Sequence, residues 1–180
     1  MGVIGPHDPV MLIIAVFSAF PETLSAMRHI LINEYGPILC ESPRFAFTET
    51  DYYESSMGGP LEKQFFAFKQ LITPDRLPSI KQQTNDLEKR CQREQDVGVE
   101  RVVNLDPGYL CLGKWVLAST KDHAHRIYLG DGIYGEITLK YQAGQFQTLP
   151  WTYPDYCRSD FQFFFMQARE HYRRCLRGDD

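Results

Sequence analysis

Between Asn104 and Leu129 the chain concentrates groups that can move protons and hold anions. Asn104-Leu105-Asp106-Pro107-Gly108-Tyr109 is followed, after an apolar run, by Ala118-Ser119-Thr120-Lys121-Asp122-His123-Ala124-His125-Arg126. Asp106, His125 and Glu136 are residue types suited to general acid–base work, and histidine is the side chain that ordinarily titrates nearest neutral pH. Lys121 and Arg126 bring positive charge that can hold a phosphate or carboxylate. Tyr53, Tyr109, Trp151 and Tyr153 offer rings that stack and polar tips that orient. We expect these groups to meet in one cleft at the end of a sheet, because binding residues collect on loops that a rigid scaffold positions. The plainer expectation is that they pair with one another. Arg126, set between His125 and Ile127, would then close an internal salt bridge with Asp106, Asp122 or Glu136.

Other chemistries fit less well. His123 and His125 would point the same way on a strand. With Asp106, Asp122 or Glu136 they could ligate a metal, but two histidines without a third defined ligand do not make a site, and no metal is assigned. There is no Gly-x-x-x-x-Gly-Lys-Ser/Thr loop and no Gly-x-Gly-x-x-Gly after a strand. Thr120-Lys121-Asp122 resembles the guanine-reading Asn/Thr-Lys-x-Asp pattern, but His123 stands where the aspartate belongs. No Ser-His-Asp order with a nucleophile elbow occurs, and no cysteine has an assignable base. No cofactor is specified. Arg169, Arg173 and Arg177 read as a solvated stripe near a helix C-terminus, where cations are favoured.

The elements that must position these groups can be read from periodicity. The length of 180 residues suits a single domain that buries its own core, and net charge −4 argues against a nucleic-acid or anionic-membrane partner. Five scattered cysteines without Cys-x-x-Cys suggest free thiols in a reducing compartment, and hence a cytoplasmic protein. Residues 10–20 are apolar, but lack a basic leader and are too short to span a bilayer. Residues 10–17 run apolar without alternation, as a strand covered on both faces does. A helix follows at 21–35 (Leu24, Met27, Leu31 and Tyr35 on one face), then strands at 43–48 and 62–71. Residues 48–62 connect them through a loop holding Asp51, Tyr52, Tyr53 and Glu54. The next helix turns Ile80, Thr84, Leu87 and Cys91 inward and carries Lys81, Glu88, Lys89 and Arg90 on its exposed side, and a strand at 99–105 completes the series.

Strand, helix, strand, strand, helix, strand is the ferredoxin-like (split βαβ) order, an α+β fold of two layers. We therefore expect such a unit at residues 1–105, within one domain of 180 residues. An extension at 106–180 would pack on it: a turn at Asp106-Pro107-Gly108, a short helix at 110–119, and a strand at 124–129. A β-hairpin through Ala143-Gly144 and a C-terminal helix burying Phe161, Phe164, Phe165, Ala168 and Tyr172 would follow. The functional expectation is a protein that binds, or binds and acts on, a small anionic or nucleotide-like ligand in a polar–aromatic cleft. The alternative is an RNA- or protein-binding module that uses Phe65, Phe66 and Phe68 as a platform on the sheet face.

Several strings also resemble domain-of-unknown-function family 4416. They are Gly5-Pro6-His7-Asp8-Pro9, Thr50-Asp51-Tyr52-Tyr53, Asn104 through Tyr109, Leu117 through Asp122, His125 through Leu129 and Pro150 through Tyr156. The resemblance covers nearly the whole chain and implies a small, free-standing cytoplasmic bacterial protein. It carries no activity, cofactor or site.

Overall fold

The computed structural model describes residues 2–50, 52–95 and 97–178. Its element order is β1 (Val10–Ser18), α1 (Pro21–Tyr35), β2 (Ile38–Glu41), β3 (Phe45–Phe47), α2 (Glu54–Met57), β4 (Leu61–Ile72), α3 (Leu77–Glu94), β5 (Asn104–Cys111), β6 (Lys114–Ser119), β7 (Ile127–Gly130), β8 (Ile133–Gln142), β9 (Gln145–Thr148) and α4 (Ser159–Arg177). One mixed α/β architecture results, with an antiparallel sheet ordered β2-β4-β1-β5-β6-β8-β7; β3 pairs with β4 and β9 with β8. Among the described residues no helix is long and apolar enough to cross a membrane.

The unbroken apolar run of β1 is explained by its place between two helical layers. Val10, Leu12, Ile14 and Val16 pack with Leu24, Met27 and Leu31 of α1 and Ile80 and Leu87 of α3. Met11, Ile13 and Ala15 face the other way, onto Phe161, Phe164, Phe165, Ala168 and Tyr172 of α4. Burying each large side chain of α4 stabilises by about 1.5–3 kcal/mol, enough to hold a third layer on the sheet. The five inward residues of α4 are those its periodicity predicts. The hairpin through Ala143-Gly144 also forms, both residues taking positive φ of 52° and 83° as a two-residue turn requires.

Three expectations are corrected. Residues 110–119 are not a helix. They are the end of β5, a turn at Leu112-Gly113, and β6, with Trp115 and Leu117 facing α4 while Val116 and Ala118 face α3. The glycine that weakens a helix is here the hairpin turn. Asp106-Pro107-Gly108 is not a turn but the middle of β5, so the division at residue 105 would cut a strand. Phe65, Phe66 and Phe68 form no platform: neighbours on a strand point to opposite faces, and all three are fully buried, Phe65 under α4 and the other two under α1. β2, absent from the sequence reading, adds a strand at the sheet edge.

One irregularity shapes the rest. β5 and β6 pair only from Gly108↔Leu117 to Cys111↔Lys114. Pairing stops at Pro107, which has no N–H for a ladder. Beyond it Asn104–Pro107 stay with β1, while Ala118 and Ser119 stay with β8, and the sheet splits. Gly108 fastens the closed end of the split. A Cβ there would lie 2.3 Å from the Val116 carbonyl oxygen and 2.5 Å from the Trp115 ring, so only glycine lets the indole lie across β5.

Candidate functional site

The split opens into a cavity of about 600 Å³. Its wall is drawn from both faces of the sheet: Lys81, Asn85 and Glu88 of α3 on one side, Tyr153, Pro154, Asp155 and Tyr156 before α4 on the other. Asn104 and Asp106 of β5 face Leu117 through Lys121 across the gap, and Tyr52 and Tyr53 close the end with Phe47 and Phe17. The closing segment is fastened by Met57 and Leu61 packing on Phe17 and by the Arg101 N–H donating to the Ser56 carbonyl at 2.9 Å. Asp51, placed by sequence in this loop, lies outside the described residues.

Of the groups expected to converge, Asp106, Lys121, Tyr53 and Tyr153 reach the cavity. Arg126, Glu136 and His125 are drawn together behind it. The Arg126 Nε donates to Glu136 Oε2 at 2.7 Å and His125 Nε2 lies 3.0 Å from the same oxygen. Arg126 Nη1 donates to Ser119 Oγ (2.8 Å) and the Lys121 carbonyl (2.9 Å), and Nη2 to the Tyr153 hydroxyl (2.5 Å). The Arg126 and Glu136 side chains are 2% and 0% exposed, so they form a buried internal ion pair. Trp151 stacks on His125 at 5.3 Å and donates its Nε1 to the Ile137 carbonyl, outside the wall. Tyr109 turns to the α3 side of the sheet, against Leu77 and Val116. His123 does reach the wall, its ring 5.9 Å from and parallel to that of His125. Among the described residues no group of three or more His, Cys, Asp or Glu could hold a metal.

The sequence reading missed several wall residues. Lys81 and Glu88, assigned to the solvated side of α3, turn into the cavity. The Lys81 Nζ donates to the Leu105 carbonyl (2.8 Å) and Asp106 Oδ1 (3.2 Å), and Glu88 accepts from the Leu105 N–H (2.7 Å) and Arg101 (3.0 Å). Arg101 also bonds Asn104 Oδ1, and Asn104 Nδ2 donates to Asp106 Oδ2 at 2.7 Å, so the two acids and two cations form one network. A signal existed. Lys81, Asn85 and Glu88 recur at i, i+4 and i+7, a polar stripe beside the apolar one. Lys63 was missed too, although it falls in phase with Leu61, Phe65 and Ala67, where an apolar residue belongs. Its ammonium is buried against Asp155 Oδ2 at 2.6 Å.

Hydrogen-bond accounting gives the cavity a definite character. The carboxylates on its wall are engaged: Glu49 by Arg158 and the Thr48 N–H, Glu88 and Asp106 as above, Asp155 by Lys63. Only the second oxygen of Asp155 lacks such a contact among the described residues. Donors, by contrast, are in surplus. The Tyr153 hydroxyl accepts from Arg126 and keeps its own proton to give. Among the described residues the buried Tyr156 hydroxyl has no partner, and Lys121 Nζ touches only the Tyr52 hydroxyl, at 3.3 Å. Burial first, then neighbouring acids (Asp106, Glu136 and Asp155 respectively), push the phenols of Tyr53, Tyr153 and Tyr156 up, so all three are O–H donors at neutral pH.

The model of the domain-of-unknown-function family DUF4416 matches residues 8–172, nearly the whole chain. The chain belongs to this family. No curated protein and no solved structure matches it. Four of the strings that resemble DUF4416 supply the cavity wall: Thr50, Tyr52 and Tyr53; Asn104 and Asp106; Leu117 through Lys121; and Tyr153 through Tyr156. The DUF4416 strings at residues 5–9 and 125–129 lie elsewhere: the first is exposed chain before β1, the second ends in the outer strand β7.

Proposed function

We propose that this chain is a cytoplasmic protein whose split-sheet cavity binds, and acts on, a small anionic or nucleotide-like ligand. The supporting observation is the imbalance on the wall: nearly all carboxylate oxygens are occupied, while among the described residues the Lys121 ammonium meets only the Tyr52 hydroxyl and the Tyr156 hydroxyl has no partner. A ligand that enters must bring acceptors, as phosphates and carboxylates do. Exposed Tyr52 beside Lys121 suits a flat ring following the anion, since the ammonium already sits 4.9 Å from that ring's centre. Five free cysteines agree with a reducing compartment. In the same reading β2-β4-β1-β5 with α1 and α3 is a ferredoxin-like unit within one domain, its strand order and antiparallel pairing being those such a unit requires.

Titration calorimetry with inorganic phosphate and a nucleoside monophosphate tests the reading. Binding should weaken about tenfold in Lys121→Ala, a loss of about 1.4 kcal/mol, with the melting temperature of the free protein unchanged because Lys121 is exposed. Absence of heat and of thermal stabilisation with either anion at millimolar concentration refutes it.

A further inference from the structure

We propose that Lys63 is a nucleophile that forms an imine with a carbonyl carbon of the ligand, so that the cavity takes a 2-oxo acid or a similar anionic ketone or aldehyde. This rests on the reading of the cavity as an anion site and names the class of anion. Lys63 lies on the cavity wall with its side chain 3% exposed. Its amine sits 4.7 to 5.8 Å from the ring centres of Phe17, Phe47, Phe65, Tyr156 and Phe161. Among the described residues a single carboxylate, Asp155, is within reach to take its proton, and the Tyr156 hydroxyl, which has no partner there, belongs to one of those rings. An ion pair serving stability alone needs no contact with a cavity, and the ring that carries the unbonded hydroxyl has its centre 4.7 Å from this amine. A ligand oxygen reaching that hydroxyl would meet a donor that no described residue engages.

The chemistry balances within these groups. Asp155 accepts a proton from the Lys63 ammonium, and the freed amine adds to the carbonyl carbon, forming the C–N bond. Tyr156 holds the developing oxygen by hydrogen bond, and a proton of the newly bonded nitrogen passes to that oxygen, giving the neutral carbinolamine. The proton on Asp155 is returned to the carbinolamine hydroxyl, which leaves as water, giving the iminium and the original carboxylate. Lys63 is a cation before and after, so the ring faces and the Asp155 counter-ion that hold the ammonium hold the iminium equally well. The high pKa of a buried phenol keeps Tyr156 a donor throughout.

The full chain would be incubated with pyruvate or with propionaldehyde, reduced with sodium borohydride, and its peptides mapped by mass. The expected result is a secondary-amine adduct from pyruvate on Lys63, at least about tenfold above that on exposed Lys89, since a positioned amine reacts at high effective concentration. Phosphate should suppress it, Asp155→Asn should slow it, and Lys63→Arg, which keeps the cation, should abolish it. Adduct confined to exposed lysines in the wild-type chain overturns the proposal, whatever the variants do. Phosphate binding by calorimetry without any Lys63 adduct from either probe overturns the imine and leaves the anion site standing. Equal labelling of Lys63 by both probes, unaffected by phosphate, upholds the imine and defeats the anion reading.

Discussion

Replacing Arg126 by Met separates a structural ion pair from a ligand contact. The substitution removes four hydrogen bonds, to Glu136, Ser119, the Lys121 carbonyl and Tyr153, from a side chain only 2% exposed. Glu136 would keep His125 at 3.0 Å and the Thr138 hydroxyl at 3.2 Å, but its carboxylate would stay buried without the guanidinium. Breaking a buried pair from one side costs about 3–5 kcal/mol. For a chain of this size that lowers the melting temperature by about 6–20 °C. The assay is urea denaturation of the wild type, Arg126→Met, Glu136→Gln and the double variant, read as a cycle. The double variant should recover part of the Arg126→Met loss, because it removes the stranded charge. Anion affinity, measured where each variant is folded, should fall less than in Lys121→Ala. A stability loss below about 1 kcal/mol, the scale of an exposed pair, refutes the buried-pair assignment.

Two further perturbations test the frame around the cavity. Burial, outweighing Lys81, the Leu105 N–H and Arg101, raises the Glu88 carboxyl above its ordinary 4.5, so its stabilising effect is complete below that pH and is lost as pH rises through the folded value. Glu88→Gln removes this decline. The stability of the variant minus that of the wild type, followed by denaturation from about pH 4 to 7, should therefore rise with pH, and a falling difference contradicts the sign. Gly108→Ala would press a methyl group into the Val116 carbonyl and the Trp115 ring. It should cost at least about 1–3 kcal/mol and shift the tryptophan fluorescence; a neutral result would mean that the indole does not lie across β5.

What the sequence determined by itself is whatever depends on short-range pattern. The 3.6-residue repeat of Leu24, Met27, Leu31 and Tyr35 set α1, and that of Phe161, Phe164, Phe165, Ala168 and Tyr172 set α4 with its inward face. The run at 10–17 required cover on both sides, and Ala143-Gly144 required a turn. The conjunction of acid, lysine and tyrosine in four strings pointed to a cleft, and Asp106, Lys121, Tyr53 and Tyr153 from those strings do line the cavity. Only the tertiary structure decided which polar groups face the cavity and which face each other. Arg126 and Glu136 are as polar as Lys121, and nothing within ten residues of them reveals that the Tyr153 loop will lie over their pair. Lys81 and Glu88 look solvated on a helical wheel, yet β5 and β6 part in front of them. Lys63 and Asp155 are separated by 92 positions and become partners only when the loop before α4 seats on β4. The split itself is non-local: Pro107 interrupts a ladder, but where the sheet opens depends on β6 following β8, and that choice is made by packing across the whole sheet rather than by any stretch of chain.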